Sequence, residues 1–451
     1  MSPYTVVAIE PGLDDTLLVK AKPWNTIPGS EIWRPFECDP DSMPAWTHDG
    51  AVQAHGTILR QKLSQHPGVA AALSNVLSTP LSARHPIYFQ LQAGVAERLR
   101  WETLWDDKEQ FLALDSRWPI ARIAESTAPF QSSPPRTFAP PLKVLAMLSA
   151  LGVKAERQWG KLYAAVEHAR LEGLGIELAV FAGEEDLLAA IQKGIDHGTV
   201  TGVRAAPIPQ NSVQVAAAFD AFKPHILHLF CHGSAAFGKS QIELATITDW
   251  DLGKSSVLLG VKELLPALRS VWLVTLNCCE GGKSVGNVHS MAHRLVVEGA
   301  PAAVGMLEPI DAGDAHEFCG AFYSAVFQTL RRIQEAPAGM EVEIEWVEAL
   351  YPPRSVLSES HPLPVNRPEW TLPVLYVRPG EFRVTREAAA PDPGVQEVLR
   401  RKVDLVAGIL RELPPDTPEG VRDQILDTLA GVPSALRPDR GGNFPGAIRG
   451  T

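Results

Sequence analysis

The sequence predicts an α/β protein: a largely parallel sheet with helices on both faces. Three observations predict it. Between residues 141 and 384, short apolar runs alternate with segments of helical periodicity. The runs are continuously apolar, as in strands buried on both faces, rather than alternating like half-exposed ones. The chain has 451 residues, 45% hydrophobic and 21% charged, a globular composition that argues against disorder or a fibrous repeat. At roughly 100–200 residues per domain, the expectation is two or three domains.

The elements follow in chain order. Thr5–Glu10 and Asp15–Lys20 read as a hairpin, and Leu99–Arg122 carries three tryptophans. Ser126–Pro141 cannot hold a helix, because prolines lack the N–H donor and restrict their neighbours. Leu142–Leu148 reads as a strand; Trp159, Leu162, Tyr163 and Val166 then recur at helical spacing. Ile176–Phe181 is a strand, and Glu184–Lys193 a helix whose acidic first turn suits the helix dipole. Strands His225–Cys231, Val271–Asn277 and Ala302–Met306 interleave with helices Val261–Leu268, Val288–Glu298 and Ala312–Gln334. Pro373–Val377 is a further strand, and residues 385–394 form a second break. Val395–Leu413 and Glu419–Leu429 make a helix pair around Pro414-Pro415, followed by a Gly/Pro-rich tail. The expected units are therefore residues 1–125, 141–384 and 395–451.

Charge and cysteine usage exclude several functions. The 41 Lys+Arg against 52 Asp+Glu give a net charge of −11, and no basic run exists to displace counterions, so direct nucleic-acid binding is not expected. No apolar stretch reaches 18 residues, so no membrane span is expected. The start, Met1-Ser2-Pro3-Tyr4, lacks the regions of a signal peptide. Five cysteines, two of them adjacent, suit reduced cytoplasm rather than a disulfide framework. On a strand, His225 and Cys231 face away from His228 and His232, so the four cannot close one metal site. Gly281-Gly282-Lys283-Ser284 lacks the preceding glycine of a phosphate loop, since Asn277 stands there. No metal or other cofactor is expected.

Two strand ends carry the chemistry. His225–Cys231 runs into His232-Gly233, and Val271–Asn277 runs into Cys278-Cys279-Glu280-Gly281-Gly282. In a parallel sheet the ligand crevice lies at the carboxyl ends of the strands, so neighbouring strands would bring His232 and a cysteine together. A thiol needs a nearby base to become a nucleophile at neutral pH, and an imidazole supplies one. Strand alternation sends Cys278 and Cys279 to opposite faces, and the cysteine beyond the strand end is the better nucleophile. Cys279 is thus preferred, with Cys278 as a small core residue and the alternative. Cys319, among Phe318, Ala321 and Phe322, reads as core.

His225–Gly233 (HILHLFCHG) and Leu273–Gly282 (LVTLNCCEGG) resemble the His-Gly and Cys-Glu motifs of CHAT-domain proteins, caspase-like cysteine proteases related to separase and metacaspases. Leu99–Arg122 is similar to the family's upstream Trp-Glu segment, and Ser290–Gly305 to its helix–strand unit after the nucleophile. Ile310–Tyr323 resembles its Asp-containing helix, and Trp370–Pro379 its closing strand. The resemblance spans about residues 80–380 and carries no tetratricopeptide repeat. It implies a caspase-like fold with Cys279 as nucleophile and His232 as its proton carrier. The backbone N–H groups of Gly233 and Cys279 are the implied oxyanion donors. Asp311, after the strand Ala302–Met306, is the expected specificity-pocket residue, ahead of Glu308 and Glu280.

The implied activity is hydrolysis of peptide bonds in a specific protein partner, in regulated bacterial defence or conflict signalling. The alternative is a catalytically silent peptide-binding or adaptor module. Residues 395–451 are the candidate surface for an activating partner. Ser234–Lys239 and Glu280–Asn287 are expected to be mobile loops beside the chemistry.

Overall fold

The computed structural model describes residues 4–13, 16–22, 31–46, 50–92, 94–106, 108, 110–124, 136–236, 239–278, 288–360, 367–378, 380, 382–387, 393–429 and 437–441. The chain forms two compact units, Met1–Glu387 and Ala388–Thr451.

The strands of the first unit are β1 (Thr5–Pro11), β2 (Leu17–Lys22), β3 (Arg34–Phe36), β4 (Ile87–Leu91), β5 (Ile120–Ile123), β6 (Arg136–Phe138), β7 (Leu142–Leu148), β8 (Ile176–Ala182) and β9 (Val203–Pro207). They continue with β10 (Ile226–Ala236), β11 (Lys239–Leu244), β12 (Val257–Leu259), β13 (Leu273–Cys278), β14 (Ala302–Met306), β15 (Glu341–Ile344), β16 (Pro373–Val377) and β17 (Phe382–Arg386). The main sheet runs in the order β3-β2-β1-β4-β5-β16-β14-β13-β10-β7-β8-β9, with β11 and β12 extending from the end of β10. Two parallel blocks form its body, and β2 and β3 add antiparallel at one edge. One is β1-β4-β5-β16, the other β14-β13-β10-β7-β8-β9, and they meet at the antiparallel β14–β16 pair. A small sheet, β15-β17-β6, stands apart.

Continuous apolar strands make this arrangement possible. Every residue of β14 is buried, and only Lys143 of β7 is partly exposed. A strand so covered needs helices on both faces, and the buried side chains accordingly divide into two cores. Leu273, Val304 and Phe230 join the core that holds Phe318 and Phe322 of the helix Ala312–Glu335. Val274, Leu276 and Cys231 join the core that holds Met291 and Leu295 of the helix Val288–Glu298. The α/β class with helices on both faces of a caspase-like sheet is therefore present, as the sequence predicts.

The first block contains a buried ion pair. Arg122 of β5 and Glu102, both with side chains 0% exposed, bond at 2.9 Å and 3.2 Å, and Arg122 also donates to the carbonyls of Glu97 and Leu99. Arg354, equally buried, lies 3.9 Å from Glu102. The helix Ala51–Ser64 reaches this region through Gly56, where a Cβ would overlap the carbonyl oxygen of Thr103.

In the second unit, the helices Pro393–Glu412 and Glu419–Asp427 share a small core of Val403, Val406, Leu410 and Leu429. Arg440 bonds Asp423 and Glu419, closing the end of the hairpin.

Candidate active site

The first site element is β10. The sequence predicts that this strand ends at Cys231, but it continues through His232 and Gly233 to Ala236 and folds back antiparallel as β11. His232 pairs with Glu243 and Gly233 with Ile242. The segment expected as a mobile loop, Ser234–Lys239, is thus the far end of a hairpin in its described residues, 234–236 and 239. The glycine after the histidine hid this, because glycine punctuates strands more often than it continues them.

His232 is 3% exposed. Its Nε2–H donates to the carbonyl of Leu151 at 2.7 Å. A carbonyl can only accept, so Nε2 carries the proton and the lone pair of the neutral ring sits on Nδ1. Nδ1 is buried and has no hydrogen-bond partner among the described residues. One nitrogen therefore orients the ring, and the other is unpaired among the described residues.

The loop that presents Leu151 is itself braced. Ser149 N–H donates to Phe230 O at 2.8 Å, and Ser149 Oγ bonds both the carbonyl and the N–H of Ala245, at 2.6 and 2.8 Å. Glu184, at the end of β8, accepts from Ala155 N–H at 2.7 Å and binds Lys154 at 2.9 Å. Residues following β7, β8 and β11 are thus tied to one another or to β10, near the carboxyl ends of β7, β8 and β10, where the topology predicts a crevice.

The second site element is β13, parallel to β10 and in register with it: Phe230 pairs with Asn277 and Cys231 with Cys278. β10 and β13 are neighbours, as the sequence argument requires. Asn277 is fully buried and donates from Nδ2 to the carbonyl of Ala315 at 2.9 Å. Its Oδ1 has no partner among the described residues. Cys278 is the last described residue of the strand; Cys279 and residues 280–287, including the expected nucleophile, Glu280 and the second expected loop, lie outside the described residues.

Asp311 is exposed and caps the helix Ala312–Glu335, accepting from Gly313 N–H at 2.7 Å. Glu308 is ion-paired with buried Arg100, whose guanidinium stacks 4.0 Å over Trp46 and also donates to Thr371. Burial lowers the Arg100 pKa, and the Glu308 charge opposes that shift. The other described thiols, those of Cys38, Cys231 and Cys319, are buried. Burial raises Cys38 to about 11 and pushes Cys319 higher still, so neither forms a thiolate at neutral pH.

The histidines upstream of His232 are core groups. Burial lowers His225 to about 4, helped by Lys143, and His228 to about 3. His228 Nε2 meets the carboxamide of Gln158 at 2.9 Å, and the other end of that carboxamide accepts from His316 Nδ1 at 2.8 Å. Leu151, Gln158, Asn277 and His316 were not legible as site residues. Only Gln158 left a trace, as a polar side chain on the buried stripe that continues to Leu162 and Val166.

The CHAT domain model matches residues 53–338, more than half of the chain. Among curated proteins no match is found. Two solved structures of the Saccharomyces cerevisiae separase–securin complex, at 2.6 and 3.0 Å resolution, are similar in fold, each with a TM-score of 0.30 and 11% identity. The similarity covers 67% of this chain but 16% and 15% of those chains, so it spans about a sixth of their length. No described helix is long and apolar enough to cross a membrane.

Proposed function

Because the chain belongs to the CHAT-domain family, related to the caspase-like cysteine proteases, we propose that it is a cytoplasmic cysteine endopeptidase acting on a specific protein partner. What supports this reading is the place of His232: buried, oriented through Nε2, with Nδ1 unpaired among the described residues, and one residue past the last matched pair of β10 and β13. The unpaired nitrogen alone does not mark a proton carrier, since Nδ1 of the core residue His228 is unpaired in the same way; the position at the strand end makes the difference.

In this reading Cys279 gives its proton to His232 Nδ1 and its sulfur attacks the scissile carbonyl. The backbone N–H groups of Gly233 and Cys279 receive the negative charge on the oxygen. The imidazolium then protonates the leaving amine, leaving a thioester, which water hydrolyses as His232 takes the water's proton. Strand parity favours Cys279 over Cys278: position 279 continues the series of Asn277, whose carboxamide reaches the helix Ala312–Glu335, and 278 that of Leu276 in the opposite core. Asp311 would select a basic residue before the cleaved bond, residues 395–451 would receive an activating partner, and the setting would be bacterial defence signalling.

The test is proteomic. Cleaved termini are compared between cells expressing the wild-type chain and Cys279→Ala. The expected outcome is one set of wild-type-only termini sharing a residue before the cut. Identical termini in both would sink the endopeptidase. If an electrophilic peptide ketone also fails to label Cys279, a silent binding module becomes the better reading.

A further inference from the structure

We propose that Gln158 and Asn277 are positioning residues that hold β10 and β13 against one turn of the helix Ala312–Glu335, and so set the spacing between His232 and the nucleophile. The inference rests on the Cys279–His232 reading and deepens it by naming what fixes the geometry.

Three contacts converge. Phe230 and Asn277 are directly paired across β10 and β13, one step before Cys231 and Cys278. A single helical turn covers both members of that pair. Ala315 accepts from Asn277 Nδ2 at 2.9 Å, and the His316 ring packs against Phe230 with centroids 5.6 Å apart. Gln158, 0% exposed on the helix Glu156–Leu171, then bonds His316 on that turn and His228 on β10, four residues before His232 on the same face. The result is one closed frame of two strands and two helices, tied by carboxamides just below the strand ends.

The chemistry requires a carboxamide at 158. Nδ1 of His316 meets its oxygen and so donates, whereas His228 Nε2 meets its nitrogen and so accepts. One side chain must accept at one end and donate at the other, and both imidazoles then hold a fixed tautomer. Gln158 sits among apolar neighbours of its helix such as Leu162 and Val166, where a leucine or methionine would serve packing alone. A buried carboxamide bonded at both ends specifies one arrangement.

The experiment follows alkylation of Cys279 by iodoacetamide in the full chain, from about pH 5 to about pH 10, with the modified residue located by peptide fragmentation mass spectrometry. A free thiol gives a midpoint near ~8.5. Wild type is expected below that value and His232→Ala near it. Gln158→Met and Asn277→Ala are expected to move the midpoint up by about half a unit or more, with a loss of at least about threefold in rate at pH 7. Gln158→Glu, whose carboxylate accepts at both ends and cannot donate to His228 Nε2, should not restore the rate at pH 7. Thermal melting is recorded alongside, since a merely structural role lowers stability without moving the midpoint. If Asn277→Ala does not fold, Asn277→Ser is read in its place.

A shifted His232→Ala profile with wild-type profiles for the Gln158 and Asn277 variants would overturn the positioning role and leave the Cys–His reading standing. Identical wild-type and His232→Ala profiles would overturn both.

Discussion

Arg122 and His232 are both buried polar side chains within strands of one sheet, and they are satisfied to different degrees. Arg122, in the first block, commits Nε, Nη1 and Nη2 to Glu102 and to two backbone carbonyls. His232, in the second block, commits one nitrogen and leaves the other open among the described residues. A buried charge bonded through four of its five N–H donors fixes an arrangement. A half-paired imidazole keeps a site for a proton. On the proposed reading, this difference separates a residue that holds architecture from one that carries chemistry.

The comparison can be broken at either end. The largest effect is expected at Glu102. Glu102→Ala strands two buried guanidiniums and should cost about 3–5 kcal/mol, read as a lower urea midpoint. A loss below ~1 kcal/mol would mean that the pair is hydrated and not structural. His232→Ala should behave oppositely: proteolysis falls by about 100- to 10,000-fold while the urea midpoint moves little. If instead its stability collapses with its activity, His232 belongs with Arg122.

A smaller effect sharpens the picture of the first block. Gly56→Ala places a methyl group against the Thr103 carbonyl, and the helix Ala51–Ser64 must shift outward. Overpacking of this kind costs about 1–3 kcal/mol. Melting of the variant should drop while iodoacetamide labelling of Cys279 holds, since the damage lies in the other block.

The last effect is a pH slope in the second block. Burial holds His225 at about 4 and His228 at about 3, against 6.5 for a free imidazole. Between these values the unfolded chain binds more protons than the folded one, so stability is fully present above about pH 6.5 and declines as pH falls towards 4. The melting temperature should fall across that window. His225→Phe, which keeps a ring beside Trp272 at the present 4.5 Å stack, should make the fall shallower. A slope that steepens would contradict neutral burial.

Much of this architecture is legible in the sequence where burial is complete. β14, β16 and the helix Val288–Glu298 fall on the predicted residues, because continuous apolar runs and a 3.6-residue stripe have few other solutions. Elements at the margins were not legible. β9 (VRAAP) lies at the sheet edge, and β11 (KSQIEL) is a polar hairpin strand, so neither needs an apolar run. At the site, His232 could be singled out from its place after an apolar strand. Its orienting partner could not, since Leu151 acts through a backbone carbonyl that any residue supplies. Gln158 and His316 meet across 158 residues of chain, and no local pattern encodes that distance.

The position of β16 bears on how the molecule is made. It lies between β5 and β14, so within the main sheet the strand pairing between the two blocks runs through residues 373–377. Its partner in β5 precedes it by some 250 residues, a pairing of high contact order that closes slowly. On the ribosome, the edges of β5 and β14 both stay unpaired until nearly the whole first unit has emerged. They are then strand edges in search of a partner. Assembly of the full sheet is therefore a late event of synthesis. A chain that stopped short of Pro373 would keep both blocks and lose the seam between them.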